Sequence, residues 1–421
     1  MEKSFRMELA GRPLIVETGK MAKQASGAVL VRYGETVVLV TSTASKEARE
    51  GMDFFPLTVD YEEKMYAVGK MPGGFLRREG RPGNSAILNA RLIDRPIRPL
   101  FDKRCRNDIH VMATVLSVDY DNAPELCGML GASASLGISD IPWDGPIAGV
   151  RVGRVDGKFV INPTQEQLKV STLNITVAGS ETAILMVEGG AQEAPEEDVL
   201  DAIMFGHKTI KELVAFQKKI IEEVGKPKRT LIFPEIPEEI KTAIYAYAER
   251  PLKEAIFNPD KLTREAHMEE VRKEAEAHFK EIYPENGSDI AECLNHLTKE
   301  IVRHMISVDK IRPDGRALDE IRPISCEVGL LPRVHGSALF TRGQTQALTI
   351  TTLAPMSETQ IIDDLTQETE KRYIHQYNFP SYSVGETKSS RGPGRREIGH
   401  GALAEGALIP VIPTVEEFPY E

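Results

Sequence analysis

The chain has 421 residues, of which 41% are hydrophobic and 27% charged, and its formal net charge is −11. This composition is typical of a globular protein and excludes a fibrous or intrinsically disordered chain. No stretch approaches the roughly 18 consecutive apolar residues of a membrane span, and the N-terminus lacks the features of a secretory signal. The acidic total excludes a protein that coats nucleic acid with its whole surface, although it allows a local basic patch.

The four cysteines are far apart in the sequence, with no CxxC pair and no histidine at zinc-ligand spacing. This pattern excludes a disulfide framework or zinc site evident from the sequence. It suits a reducing cytosol, so we expect a cytoplasmic protein. The cysteines are Cys105, Cys127, Cys293 and Cys326.

Residues 1–206 are predicted to form short strands with few helices. The segments PLIVETG, GAVLVRYG, ETVVLVTSTAS, DFFPLTVDY and IHVMATVLSVD are rich in β-branched and aromatic residues, as are GKFVINPT and NITVAGSETAILMVEGGA. Between them, LCGMLGASASLGIS favours a helix packed closely on a sheet. Strands with helices on one side indicate an α+β fold.

After Ala194 the residue pattern becomes typical of helices. Pro195 followed by three acidic residues predicts a helix start, and Gly225-Lys226-Pro227 predicts its end. Residues 238–308 are rich in Ala, Glu and Lys and predict a small all-helical domain of about three helices. A linker, IRPDGRALDEIRP, then leads back to strand-forming sequence.

The sequence from Glu327 repeats the sequence from Glu17, which predicts a duplicated domain. With one gap between Arg32 and Gly34, the aligned identities are Glu17/Glu327, Gly19/Gly329, Ala28/Ala338, Arg32/Arg342, Gly34/Gly343, Thr36/Thr345, Leu39/Leu348 and Thr43/Thr352. Further matches pair Phe55-Pro56 with Phe379-Pro380 and RREG from Arg77 with RREIG from Arg395, and place Arg98 near Pro413.

In this alignment the second copy has no counterpart of about residues 110–206, so we expect the chain to be part of a longer protein. The predicted segments are a first core (1–206), a helix with a linker (207–237), an all-helical domain (238–308) and the N-terminal half of a second core (309–421).

Residues 77–106 form a basic stretch, with eight arginines and one lysine against three acidic residues. A planar guanidinium matches phosphate oxygens better than an ammonium does. The preceding loop, MPGGFLRREGRPG, presents Phe75 beside Arg77 and Arg78, a combination that can stack a base and bind a backbone. The alternative is a solvated loop followed by an ion-paired helix. The matching GPGRREIGHG in the second copy favours the binding interpretation.

Each of the other candidate site residues also has a purely structural explanation. His400 can donate to a phosphate, although a structural histidine is the better interpretation from sequence alone. Arg312 and Arg316 suit linker charges. The pair Asp363-Asp364 invites a metal site, but adjacent acids on a loop are more often solvated. No Walker loop, GxSxG or HExxH motif occurs in a suitable context.

Several blocks resemble the bacterial polynucleotide phosphorylase family, and the resemblance runs from about Phe5 to Glu421. These blocks are FFPLTVDYEEKMYAVGKMPGGFLRREGRP, ARLIDRPIRPLF, GSALFTRGQTQAL, YNFPSYSVGET and GRREIGHG. The resemblance implies two RNase PH-like cores (ribosomal protein S5 domain 2-like), the second truncated, joined by an all-helical domain. It also implies phosphate-dependent 3′-to-5′ degradation of single-stranded RNA, reversible polynucleotide synthesis, magnesium dependence, a homotrimer and participation in an RNA-degradation complex. The family's KH and OB-fold modules, which follow the second core, are not in this sequence.

The resemblance also implies site residues. Phe75, Arg77 and Arg78 match the RNA-gripping loop, with Arg81 and Arg98 nearby; Arg316, Arg395, Arg396 and His400 match positions near the second-core site. The family's phosphate-binding serines and magnesium-binding aspartates are expected beyond Glu421, and the first copy has Thr172 and Asn174 instead. Gly406, which the alignment places opposite Arg91, stands where the family often has an arginine. We therefore expect this chain alone to be inactive; the alternative is a non-catalytic RNA-binding or assembly fragment.

Overall fold

The computed structural model describes residues 2–48, 52, 54–231, 235–366, 369–389 and 391–421. The chain divides into two compact units, residues 1–232 with 355–421, and residues 233–354. Among the described helices, none combines the length and apolar character needed to cross a membrane.

The first unit contains a six-stranded sheet in the order β1-β2-β3-β4-β6-β5, in which only the β5–β6 pair is parallel. Alternating apolar residues line its buried face. The strands are β1 (Lys3–Leu9), β2 (Arg12–Thr18), β3 (Gly27–Tyr33), β4 (Thr36–Ala48), β5 (Leu57–Glu62) and β6 (Asn107–Ser117).

A second, four-stranded antiparallel sheet has the order β10-β9-β7-β8. Its strands are β7 (Ala148–Val155), β8 (Lys158–Ile161), β9 (Leu173–Gly179) and β10 (Ile184–Ala191). The accompanying helices are α1 (Asn84–Ile97), α2 (Pro124–Ile138), α3 (Gln165–Val170) and α4 (Glu196–Val224). Helix α2 packs on β3 and β4, and α4 packs on β7 and β9.

Small residues let α2 approach the sheet closely. A Cβ atom on Gly131 would lie 2.4 Å from Val40 Cγ2, so the helix backbone rests directly on the strand. Every residue of α2 from Leu126 to Ile138 is buried. The small-residue sequence that weakens helix propensity is therefore what allows this packing.

The second unit contains three helices, α5 (Glu238–Ile256), α6 (Lys261–Ile282) and α7 (Gly287–Ser307), as the sequence predicts. Their core includes Ile244, Leu252, Phe279, Leu294 and Leu297. The same unit holds the antiparallel strands β11 (Ile324–Val328), β12 (Gly336–Arg342) and β13 (Thr345–Thr351).

The rest of the second copy lies in the first unit. It comprises the hairpin β14 (Gln360–Ile362) and β15 (Thr369–Lys371), a 3-10 turn at Ser381–Val384 and helix α8 (Arg395–Leu408), which packs against α1.

The structure confirms the strand and helix predictions of the first 225 residues, including α2 and the long α4. The sequence prediction missed β1 and β7. In β1, KSFRMEL, the apolar residues Phe5, Met7 and Leu9 alternate with polar ones, so the strand signal is present and was overlooked. In β7, AGVRVGRV, glycine and arginine dilute the alternation.

The duplication is also visible in the structure. The β3–β4 and β12–β13 hairpins turn at Gly34 and Gly343 with φ of 59° and 60°. Two 3-10 turns, Met65–Val68 and Ser381–Val384, end at Gly69 and Gly385 with φ of 71° and 69°. Only glycine adopts such backbone conformations freely, so these residues mark equivalent positions in the two copies.

Several aligned pairs are nevertheless wrong. Strands β3 and β12 both have seven residues, so the gap precedes Gly27 and neither Ala28/Ala338 nor Arg32/Arg342 is an equivalent pair. Pro380 and Lys64 both precede the 3-10 turns, so Phe379-Pro380 does not match Phe55-Pro56.

The RREG and RREIG match is also wrong. Helices α1 and α8 begin at Asn84 and Arg395 and are each followed by a three-residue 3-10 turn, Arg98–Leu100 and Ile409–Val411. Arg395 is therefore equivalent to Asn84 and not to Arg77. The same register places Gly406 opposite Arg95 rather than Arg91, and Arg98 opposite Ile409 rather than near Pro413. The equivalent connection in the second copy, residues 386–394, is shorter than residues 70–83, and its residue 390 lies outside the described residues.

The four-segment division remains a prediction. Helix α4 continues through the boundary at 206/207, and residues 309–354 and 355–421 belong to different compact units. Residues 232–234 of the predicted linker lie outside the described residues.

Candidate RNA-binding surface

An irregular loop, residues 70–83, connects the 3-10 turn Met65–Val68 to α1. Phe75 at its tip is 98% exposed, and its neighbour Leu76 is 82% exposed. The backbone of Arg77 has φ of 48°, a left-handed conformation that residues other than glycine rarely adopt. Such backbone strain is concentrated at functional sites, and an exposed phenylalanine ring is available for stacking.

The arginines of this loop are unpaired. Arg77, Arg78 and Arg81 are exposed, and within the described parts of the chain their side chains make no hydrogen bond or ion pair. Glu79 points back instead, where its Oε1 accepts a hydrogen bond from the Met65 backbone N–H at 3.3 Å. The loop therefore presents three guanidinium groups beside an exposed ring while its own acidic residue faces the protein.

Arg98 is in a different situation. It donates to Asp94 Oδ1 at 2.6 Å and Oδ2 at 3.0 Å, and to the Leu57 carbonyl at 3.0 Å. This arrangement joins the end of α1 to β5, so most of the donor capacity of this guanidinium is used within the protein. A direct contact of Arg98 with RNA remains a prediction.

Helix α8 places the second pair of arginines. Arg395 donates to the Val59 carbonyl at 2.7 Å and to Asp60 Oδ1 of β5. The second oxygen of Asp60 lies 2.9 Å from His110 Nε2 of β6. Burial alone would raise the pKa of Asp60, but hydrogen bonds from Arg395 and His110 outweigh burial and place the pKa below its ordinary value.

Arg396 and His400 lie on the same helix. Arg396 is exposed and makes no hydrogen bond or ion pair with the described residues. The His400 ring packs edge-on against Tyr377, with 4.3 Å between ring centroids. Gly399 is buried against Arg91 of α1, where a Cβ atom would lie 2.5 Å from Arg91 Nε. The glycine therefore lets α8 approach the first copy.

Arg316 belongs to the second compact unit and is paired there. Its Nε lies 2.9 Å from Asp314 Oδ2, and its Nη1 donates to the Glu320 carbonyl at 2.7 Å. Burial opposes ionisation of Asp314, but hydrogen bonds from Arg316 outweigh it, so the pKa of Asp314 is lowered. These contacts fit the linker interpretation, and an RNA contact remains a prediction.

The described residues do not form a magnesium site. Asp363 Oδ1 lies 2.6 Å from Lys70 Nζ, and Asp364 Oδ1 accepts hydrogen bonds from the Thr366 N–H at 2.8 Å and its hydroxyl at 2.6 Å. No group of three or more potential metal ligands converges anywhere in the described ranges. Since divalent cations need several oxygen ligands, the paired aspartates do not fit a bound magnesium ion.

Sequence reasoning missed Asp60, His110 and Tyr377. Asp60 binds Arg395, which is distant in the chain, and His110 binds Asp60 from the neighbouring strand. Tyr377 packs on His400 within the second copy. Strands β5 and β6 show only ordinary strand patterns. No signal in a single sequence identifies such contacts.

The model of the 3′ exoribonuclease family, domain 1, matches the chain twice, at residues 10–142 and 320–421. The chain belongs to the 3′ exoribonuclease family. The second domain of this family matches residues 145–209, and residues 239–317 match the model described as "Polyribonucleotide nucleotidyltransferase, RNA binding domain". These matches confirm two RNase PH-like regions separated by a helical region.

Curated relatives named polyribonucleotide nucleotidyltransferase match 99% of this chain. The protein from Heliobacterium modesticaldum is 61% identical over 416 residues, and that from Syntrophomonas wolfei is 60% identical over 418 residues. The Geobacillus kaustophilus protein is 57% identical over 418 residues. The chain spans 59%, 60% and 58% of the lengths of these three relatives. The match to the crystal structure of rice Rrp46 covers 52% of this chain and 94% of the Rrp46 chain, with a TM-score of 0.40 and 14% sequence identity.

Proposed function

We propose that this chain supplies the RNA-binding surface of a phosphorolytic 3′-to-5′ exoribonuclease, a polyribonucleotide nucleotidyltransferase. In this reaction an oxygen of inorganic phosphate attacks the last phosphodiester of RNA. The bond to the 3′ oxygen of the preceding nucleotide breaks, and a nucleoside diphosphate leaves. The reverse reaction extends RNA. The proposal includes a cytoplasmic homotrimer that uses magnesium and acts in mRNA degradation, including within an RNA-degradation complex.

The observation that carries this proposal is the loop at residues 70–83. It presents Phe75, Arg77, Arg78 and Arg81 to solvent without partners among the described residues. Unpaired guanidinium groups attract a phosphodiester backbone, and an exposed ring stacks on any base, so the surface suits single-stranded RNA without strong sequence preference. The names of the curated relatives support the same assignment.

The chemistry requires positive charge because both reactants are anionic. Guanidinium groups near the scissile phosphate reduce the repulsion between inorganic phosphate and the diester and stabilise the charge of the transition state. Arg396 and His400 are the exposed members of the second-copy set that make no ion pair with the described residues. Since the described residues do not fit a magnesium ion, we assign no step of the reaction to metal ligands of this chain.

The proposal is tested by separating binding from turnover. The 421-residue chain should bind poly(A) in fluorescence anisotropy yet release almost no ADP in the presence of phosphate and magnesium. A form extended to the length of the relatives should release ADP in proportion to phosphate. Turnover by the 421-residue chain near that of the extended form would contradict the proposal. Binding without turnover by either form would favour the alternative, a non-catalytic RNA-binding or assembly protein.

A further inference from the structure

The adjacent arginines that begin α8 have different environments. Arg395 reaches β5 of the first copy, where one nitrogen donates to the Val59 carbonyl and another to the Asp60 carboxylate. Arg396, one residue later, is exposed and has no partner among the described residues. Consecutive residues of a helix are about 100° apart around its axis, so the two side chains leave the helix in different directions.

The anchor of Arg395 is itself held on both sides. Asp60 accepts Arg395 through Oδ1 and faces His110 Nε2 through Oδ2, at 2.9 Å. Its strand β5 is paired in parallel with β6, and the preceding residue, Val59, is 3% exposed. A carboxylate on a strand interior with both oxygens engaged has little freedom, so it fixes the guanidinium that it binds.

The charges at this end of α8 favour the same arrangement. Two cations at a helix N-terminus are destabilised by the positive end of the helix dipole. Asp60 compensates the first of them. The acidic residue of the first turn, Glu397, is engaged elsewhere, since its oxygens accept the backbone N–H groups of Gly394 at 2.6 Å and Phe379 at 2.7 Å. Arg396 is thus left without a counter-charge within the described structure.

We propose that Asp60 is a positioning residue for RNA binding: it anchors Arg395, and through Arg395 the start of α8, so that Arg396 meets an RNA phosphate. Arg395 itself does not contact RNA. The inference rests on the proposed function and adds that the first copy takes part in the second-copy site through a fixed carboxylate. It also predicts different roles for Arg395 and Arg396, although the sequence assigns both to the same site.

The two roles differ in the sign of one effect. If Arg395 only anchors α8, removing the Asp60 charge loosens the helix and weakens RNA binding. If Arg395 instead binds phosphate directly, removing that charge releases its guanidinium and tightens binding or leaves it unchanged. Removing one negative charge also makes the chain less acidic, and this change alone would strengthen RNA binding. The weakening that we expect for Asp60→Asn is therefore opposite to the general electrostatic effect.

The experiment is anisotropy of fluorescein-labelled oligo(A) with the 421-residue chain over a salt series. Arg396→Ala should weaken binding about fivefold at 0.1 M salt and flatten the slope of log K against log salt by about 0.7, the value for one single-strand phosphate contact. Asp60→Asn and Arg395→Ala should each weaken binding at least about twofold. The charge swap Asp60→Arg with Arg395→Asp should restore most of the loss, because it rebuilds the ion pair with reversed polarity.

Asp102→Asn is the matched control. Asp102 pairs with Arg104 on the surface of the same unit, so this variant removes one negative charge without touching α8. A melting curve for each variant shows whether the fold is intact. Tighter or unchanged binding by Asp60→Asn, or failure of the charge swap to restore binding, would overturn the inference while leaving the proposed function standing. Absence of RNA binding by the parent chain would overturn both.

Discussion

The two copies of one strand meander have opposite environments. In the first copy, α2 covers β3 and β4, and Val29, Val31 and Val40 are almost fully buried. In the second copy, the equivalent strands β11, β12 and β13 are largely exposed, and Val328 and Phe340 are 83% and 40% exposed. The lengths of β3 and β12 and the pairing registers of the two hairpins nevertheless agree.

The difference shows what the sequence of a strand specifies by itself. Hairpin register follows from the glycine turn and the paired strands, so it is the same in both copies. Burial depends on a covering helix, and among the described residues only the first copy has one over this meander. The second meander therefore leaves apolar side chains in water, and such surfaces promote association.

The largest expected effect comes from equivalent substitutions in the two meanders. Val40→Asp and Thr349→Asp change residues at the same register position, opposite Val29 and Ala338. Val40→Asp places an unpaired carboxylate under α2 and should lower the free energy of unfolding of the first unit by more than about 4 kcal/mol. Thr349 is exposed, so its substitution should change stability by no more than about 0.5 kcal/mol.

Urea unfolding followed by circular dichroism distinguishes the two variants. Similar losses for both would show that the second meander is covered in solution, and the contrast between the copies would then be withdrawn.

A second prediction concerns association. Because β11–β13 expose apolar side chains, we expect the chain to aggregate or to form an oligomer whose size depends on concentration. Val328→Lys with Phe340→Lys should lower the average mass measured by light scattering, whereas the same number of lysines at exposed polar positions, Ser325 and Thr349, should have a smaller effect. A monodisperse parent monomer would contradict this prediction.

The third prediction compares two helical glycines. Gly131 of α2 lies against Val40, and Gly131→Ala should lower the free energy of unfolding by about 1–3 kcal/mol because the added methyl overlaps the valine. Apart from the backbone of α8 and the two chain neighbours of Gly406, no described atom lies within 4 Å of a Cβ placed on this glycine. Gly406→Ala should therefore raise stability by roughly 0.5–1 kcal/mol through helix propensity. Thermal melts that show both variants on the same side of the parent protein would contradict the packing described for α2.

The sequence predicts local structure better than it predicts relations between distant residues. The strands with clear alternation, the small-residue helix α2 and the boundaries of α4 could be predicted because each depends on neighbouring residues. The predicted alignment of the two copies is partly wrong because two similar sequences have different structures. RREG from Arg77 lies in a loop, whereas RREIG from Arg395 begins helix α8.

The candidate site shows the same limit. Exposure of Phe75 and the loop arginines follows from a glycine- and proline-rich segment, which the sequence shows directly. The pairing of Arg98 with Asp94 has an i, i+4 signal in the sequence that could have been used. The pairing of Arg395 with Asp60 joins residues from two copies and depends on how α8 packs against α1, so only the structure reveals it.

The salt dependence of RNA binding tests the central claim, that the loop at residues 70–83 binds the RNA backbone. The variant is Arg77→Ala with Arg78→Ala, and the control is Lys3→Ala with Lys218→Ala. The control removes the same charge from exposed ion pairs with Glu223 and Glu181. The free energy of unfolding of both variants should lie within about 0.5 kcal/mol of that of the parent chain, because both change exposed side chains.

The measurement is anisotropy of labelled single-stranded RNAs of different sequence across a salt series. The loop variant should bind more weakly and flatten the slope of log K against log salt by about 1.4, at about 0.7 for each lost phosphate contact. The loss should be similar for every sequence, because backbone contacts position a strand without reading its bases. Unchanged affinity and slope in an intact loop variant, or an equal change in the control, would contradict the account.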